Sequence, residues 1–374
     1  MEWIQELWSP ILILLAAFVI GWGAETAQTF IPRALALSLL AWLQTLPEFA
    51  VEAAIAWNQQ RDLMIANLTG SLRLIVGLGW PMIFFVHFFF HGIRQKKMAT
   101  TISLEKDDAL GVMFLFFSIL YFVVILLKGT LTVFDSGILI LIYFLYLFAA
   151  FKFSSTHEED PEDLPWLGKK IVRLNPAPKY IATTLVFVLG GAALYFSVHP
   201  FLHTLERWAL AAGISTFFFV QWVAPFLSEF PEKVSAFNWA RQPEKAPMAM
   251  MNMVNSNINQ WTMLAAMIPI VFNLSLGYLE PVTFDDLHRT ELVLTVAQSL
   301  LGGILLIDMK FSIYDAAAIF ILWIVQFLVG SLREEIAVFY LAWFAIEVLK
   351  AVRTYSQDGT LPPAWVAFRR LKAS

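Results

Sequence analysis

Two glutamates stand inside stretches that are otherwise apolar. Glu48 lies in TLPEFAVEAA (45–54) and Glu232 in LSEFPEKVSA (227–236), each directly after a proline. A proline within a helix removes one backbone donor, so carbonyls near residues 43–44 and 227–228 lose their partner. Carbonyl, carboxylate and hydroxyl oxygens brought together make an all-oxygen shell, which suits hard cations such as Na+ or Ca2+. Hydroxyls and amides follow at matched distances. Ser71, in LTGSLRLI (68–75), comes 23 residues after Glu48, and Ser256, in VNSNINQ (254–260), comes 24 after Glu232. Neither motif contains histidine and the chain has no cysteine, which argues against a transition-metal site.

The elements that position these residues are membrane helices. The 374 residues are 59% hydrophobic and 14% charged, where a soluble chain carries about a quarter charged, and the mean hydropathy is +0.68. Runs long enough to span a bilayer, about 20 residues each, recur near 9–25, 34–57, 63–92, 109–127 and 131–151. After the polar stretch 152–179 they return near 180–197, 208–238, 247–278, 291–307, 311–330 and 334–351. The runs are continuously apolar rather than alternating, which excludes a β-barrel. The expected fold is all-α and polytopic, with 10–11 transmembrane helices. The expected partners are the lipid bilayer and inorganic cations; a net charge of −4 gives no reason to expect nucleic acid. No phosphate-binding loop or nucleophile–base set appears, so neither an enzyme nor a cofactor is expected. The acidic run HEEDPED (157–163) lacks the spacing of a calcium loop and reads as solvated linker.

The distribution of Lys and Arg orients the bundle. With the N-terminus outside, inward segments hold 18 of the 25 basic residues and outward segments five. The basic tail falls inside if 334–351 is an eleventh span; an amphipathic surface helix is the other reading. The localisation that follows is multi-pass, in the cell (inner) membrane, with a cytoplasmic C-terminus. Because the first half has five spans, the second enters with opposite polarity. Inverted halves of this kind place ion sites at the midplane, where helices break. The expected organisation is a first repeat over 1–151, a cytoplasmic linker over 152–179, a second repeat over 180–330, and a further helix with a basic tail over 331–374. A charge at the bilayer centre costs at least about 2.5–3.5 kcal/mol. Two such charges at matched places point to use rather than to incidental kinks.

The paired motifs resemble the two α-repeats of the sodium/calcium exchanger superfamily, the cation/Ca2+ antiporters. QTLPE (44–48) with GSLRLI (70–75), and SEFPE (228–232) with NSNINQ (255–260), resemble that family's break and the stretch on its next helix; GWGAETAQTF (21–30) resembles its first helix. The resemblance implies a secondary antiporter moving Ca2+ or a similar cation against Na+ or H+ by alternating access. It implies that Glu48 and Glu232 are the central carboxylates, that Gln44, Thr45 and Ser228 are oxygen donors of the breaks, and that Ser71, Ser256 and Gln260 are ligands on the adjoining helices.

The sequence departs from the family pattern in several places. Ile75 and Leu72 stand where it has side-chain oxygens, and Glu229 stands where it has a small hydroxyl. Arg73 and Lys233 are basic residues inside spans. Either they compensate the extra acids, Arg73 pairing with Glu52 or Glu229 while Lys233 reaches the interface, or they neutralise the central glutamates. The second case corresponds to an alternative function: a non-exchanging protein on the same fold, a scaffold or a transporter of another solute.

Overall fold

The computed structural model describes residues 7–29, 42–95, 99–153, 164, 166–359 and 361–373. The first part of the expected 34–57 span and the acidic run 157–163 lie outside the described residues. Among the described residues the chain is almost entirely helical, in two halves of matching order.

The first half contains α1 (Trp8–Gln28), a broken helix whose second part is α2 (Leu46–Trp57), and a long interrupted helix of α3 (Arg61–Leu74), a π-helical turn (Ile75–Gly79) and α4 (Trp80–Gln95). It closes with α5 (Ala109–Lys128) and α6 (Val133–Phe153). A short α7 (Trp166–Val172) leads to the second half. There α8 (Pro176–Ala212) corresponds to α1, and α9 (Thr216–Ser228) with α10 (Phe230–Ala240) forms the broken helix. Next come α11 (Ala246–Asn259), a π-helical turn (Gln260–Leu264) and α12 (Ala265–Leu276), then α13 (Asp286–Leu305) and α14 (Ile313–Leu328). Beyond the repeat lie α15 (Arg333–Asp358) and α16 (Pro363–Ala373).

Two expected boundaries move. The spans read near 180–197 and 208–238 are instead one 37-residue helix, α8, and the separate pair α9–α10. Pro200 lies inside α8 without ending it, and the stop comes at Gly213, whose φ of +67° suits a residue without a side chain. Residues 198–207, between the two expected spans, continue the helix, and Gly213 is the stronger stop signal.

Small antiparallel pairings tie the halves together at the bundle ends. β1 (Thr101–Ser103) pairs with β4 (Lys310–Ser312), and β2 (Thr130–Leu131) with β3 (Val282–Thr283). Helices α1 and α8 form the most extensive helix pair, while α3 packs on α9 and α13. Apolar side chains such as Leu127, Phe148 and Leu189 point outward, exposed in a bundle of apolar helices, as a lipid-facing surface requires. Polar residues gather inside. Glu48, Glu52, Asn67, Ser71, Asn252, Ser256 and Gln260 are all buried.

Candidate ion-binding site

Each half breaks a helix at its Pro-Glu pair. A helical turn over 42–44 stops at Thr45 before α2 begins, and α9 stops at Ser228, with Glu229 between it and α10. Pro47 and Pro231 occupy the first turns of α2 and α10, where a missing N–H does not harm the new helix. The carbonyls of Leu43 and Leu227 are thereby denied their usual donor. Glu48 and Glu232 fall in the same first turns, where the positive end of the helix dipole favours a carboxylate.

Hydrogen bonds converge on these breaks from both halves. Asn67 Nδ2 donates to Glu48 Oε1 at 2.6 Å and to Glu52 Oε2 at 2.7 Å. Ser228 Oγ, from the other half, donates to Glu48 Oε2. Glu232 Oε1 accepts from Ser256 Oγ and, at 3.4 Å, from Asn252 Nδ2. The same amide lies 3.4 Å from Gln44 Oε1, and Asn259 Nδ2 donates to Thr45 Oγ1 at 2.5 Å. Glu229 Oε1 accepts from Ser71 Oγ and from Gln260 Nε2 at 2.7 Å, while its Oε2 takes Lys233 Nζ at 2.5 Å. Among the described residues no base forms an ion pair with Glu48, Glu52 or Glu232. The buried oxygens Glu52 Oε1, Glu232 Oε2, Asn67 Oδ1, Asn252 Oδ1, Asn259 Oδ1 and Gln260 Oε1 have no hydrogen-bond partner.

The structure therefore brings together Gln44, Thr45, Glu48, Glu52, Ser71, Ser228, Glu229, Glu232, Lys233, Ser256 and Gln260. It corrects two readings. Arg73 pairs with neither Glu52 nor Glu229: it turns to α13, where its Nη2 is 2.5 Å from Glu291 Oε2. Ser71 and Arg73 are two positions apart, about 200° around the helix, so they face different neighbours. Lys233 does not reach the interface; it is 5% exposed and held by Glu229.

Sequence reasoning had passed over Asn67, Asn252 and Asn259. A signal was present, since Asn67/Ser71 and Asn252/Ser256 stand four apart and share a helix face. The two π-helical turns start at Ile75 and Gln260, each four residues after its serine, a distortion frequent at functional sites. At the bundle surface, Asp62, Asp285 and His288 bring their ligand atoms within 4.8 Å of one another. There Asp285 and His288 serve α13 as a reciprocal cap.

A family model described as sodium/calcium exchanger protein matches residues 3–152 and 182–331. A crystal structure of the H+/Ca2+ exchanger CAX is similar with a TM-score of 0.88 and 29% identity, over 99% of this chain and 90% of that one. The structure of native YfkE gives 0.61 and 18%, over 91% and 92%. One of the sodium-calcium exchanger NCX_Mj gives 0.58 and 18%, over 88% and 98%. At 18% identity these last two show the fold alone. No curated protein matches.

Proposed function

As the chain belongs to the sodium/calcium exchanger family, we propose that this cation exchanger moves Ca2+ or a similar divalent cation against H+, with Glu48 and Glu232 as the central carboxylates. The observation that carries this reading is the sharing of one amide nitrogen by two buried carboxylates, Glu48 and Glu52, with no base among the described residues paired to either. Such a group needs positive charge from elsewhere, and a divalent cation and protons are alternative ways to supply it. Ile75 removes one of the oxygens that the family pattern offers, which weakens the case for several Na+ sites. The similarity to the H+/Ca2+ exchanger CAX supports protons in the same sense.

Gln44, Thr45, Ser71, Ser228, Ser256 and Gln260 complete the oxygen shell. Repeats over 1–151 and 180–330, joined by a cytoplasmic linker, alternate access to it in the cell membrane. The Lys/Arg bias supports an N-terminus outside. The site crosses the apolar barrier only when it holds one ion or the other, which couples the two fluxes. The non-exchanging alternative requires the bases to satisfy the central glutamates, but Arg73 is engaged by Glu291 and Lys233 by Glu229.

The test is Ca2+ uptake into proteoliposomes under an imposed pH gradient and, separately, a Na+ gradient, with the E48Q/E232Q double variant alongside. Uptake driven by the pH gradient and lost in the variant is expected. Uptake driven by Na+ alone would replace the coupling ion, and no uptake by folded protein under either gradient would overturn the reading.

A further inference from the structure

One basic side chain lies inside the oxygen site. Lys233 is buried, and its Nζ sits 2.5 Å from Glu229 Oε2. The other oxygen of Glu229 accepts from Ser71 and Gln260, two residues to which the proposed function gives cation-binding roles. Ser71 comes from α3, Gln260 from the π-helical turn after α11, and Glu229 from the break itself, so three elements of both halves converge on one ammonium-bearing carboxylate. Glu232, one residue before Lys233, points instead to Ser256 and Asn252. The ammonium is thus delivered to Glu229 and not to the central pair.

On the strength of the proposed exchange function, we propose that Lys233 is a tethered cation that permanently fills one position of the ion site and so sets the number of coupling ions carried per cycle. Four buried carboxylates, Glu48, Glu52, Glu229 and Glu232, flank the two helix breaks. One of their charges is cancelled by a cation that cannot leave, and the rest must be met by ions that can. A buried ion pair carries a desolvation cost, and its retention is weak evidence for a stabilising role. Ser71 and Gln260 both donate to Glu229 Oε1, so on Oε2 the ammonium is at once the hydrogen-bond donor and a fixed positive charge. Without it, Glu229 with the oxygens of Ser71 and Gln260 becomes a further exchangeable position, to be filled on every return step.

The experiment measures coupling rather than rate. In proteoliposomes clamped at zero potential with a fixed tenfold coupling-ion gradient, the Ca2+ ratio at which net 45Ca2+ flux vanishes reports the number of coupling ions per Ca2+. K233M is expected to shift that ratio by about tenfold, one extra coupling ion under this gradient. K233R, whatever its rate, should keep the wild-type ratio, and E229Q/K233M, which removes the vacated position, should restore it. K233Q retains an N–H donor for Glu229 without the charge and carries the test should K233M not fold. If the neutral variants fold without cycling, equilibrium 45Ca2+ binding in detergent replaces flux: tighter binding is expected, and unchanged or weaker binding overturns the tether. A wild type that couples while K233M or K233Q keeps its ratio overturns the tether alone. A wild type that shows no gradient-driven uptake overturns the proposed function instead.

Discussion

Two clusters of buried charge lie in one bundle and are composed in opposite ways. At the centre, among the described residues, four buried carboxylates are accompanied by one base, Lys233, which pairs with Glu229. Between α3, α13 and α15, a single carboxylate, Glu291, faces two bases, Arg73 at 2.5 Å and Arg333 at 2.7 Å. The charges of the second cluster are met by fixed contacts, although Arg333 Nε and Gln221 Oε1 have no hydrogen-bond partner. Arg73 also donates to Thr69 O and Gln326 Oε1 and stacks on Trp222, Arg333 stacks on Phe218, and Gln221 donates to Glu291. Aromatic faces and carbonyls disperse the excess positive charge. The first cluster has no comparable closure, because its surplus is negative and several of its oxygens lack donors. A buried surplus met by fixed groups builds structure, while on the proposed function a surplus left for mobile ions serves transport. The base-rich cluster also anchors α15, outside the repeat, to α3 inside it.

The largest expected effect lies at the acid-rich centre. E48Q or E232Q alone should lower gradient-driven Ca2+ uptake by at least about 100-fold, since even partners one shell outside a metal ligand cost about 10–100-fold. Size-exclusion profiles should remain those of wild type. Uptake within a few-fold of wild type would remove the mutated glutamate from the site.

In the base-rich cluster the same chemical change should act on stability. E291Q leaves two buried guanidiniums without an anion, a loss of about 3–5 kcal/mol, read as a lowered unfolding midpoint in detergent. The protein that remains folded should couple ions at the wild-type ratio. A changed ratio with little loss of stability would mean that both clusters belong to the transport site.

The seam between the clusters gives a smaller effect. A Cβ at Gly70 would lie 1.7 Å from the carbonyl oxygen of Gln221, so α3 and α9 pack backbone to backbone beside Ser71. G70A should force them apart at a cost of about 1–3 kcal/mol and stretch the Ser71–Glu229 contact, lowering both melting temperature and Ca2+ affinity. Loss of stability with unchanged affinity would show that the contact is not part of the site.

Much of the central cluster was legible because it is local and duplicated. Pro-Glu followed 23 or 24 residues later by serine survives as a pattern in the chain, and the family resemblance fixed which oxygens to compare. The base-rich cluster was not legible. Arg73 and Glu291 are 218 residues apart, and nearer acids, Glu52 and Glu229, offered themselves as partners. Helix rotation decided against them, and a two-residue offset that moves a side chain to another neighbour is visible only once the neighbours are placed. Asn67 was hidden for a different reason. Its role depends on Glu48 and Glu52 standing four apart on one face of α2, within reach of a single amide.

The smallest effect is expected at the surface, where charge is cheap. Arg61, opening α3, pairs with Glu280 in the loop after α12 and lies over Phe272 at 5.0 Å. Hydrogen bonds from Arg61 and Tyr278 hold the Glu280 carboxyl below its ordinary value. A carboxyl depressed on folding contributes stability that is present above its unfolded pKa, about 4.3. That contribution disappears as the pH falls through the lower folded value. The difference in melting temperature between wild type and R61M should therefore be constant near neutrality and shrink as the pH falls below about 4. Exposed pairs of this kind contribute little, so the difference should be small throughout. A difference that persists in acid would assign Arg61's contribution to its stacking on Phe272 rather than to the pair with Glu280.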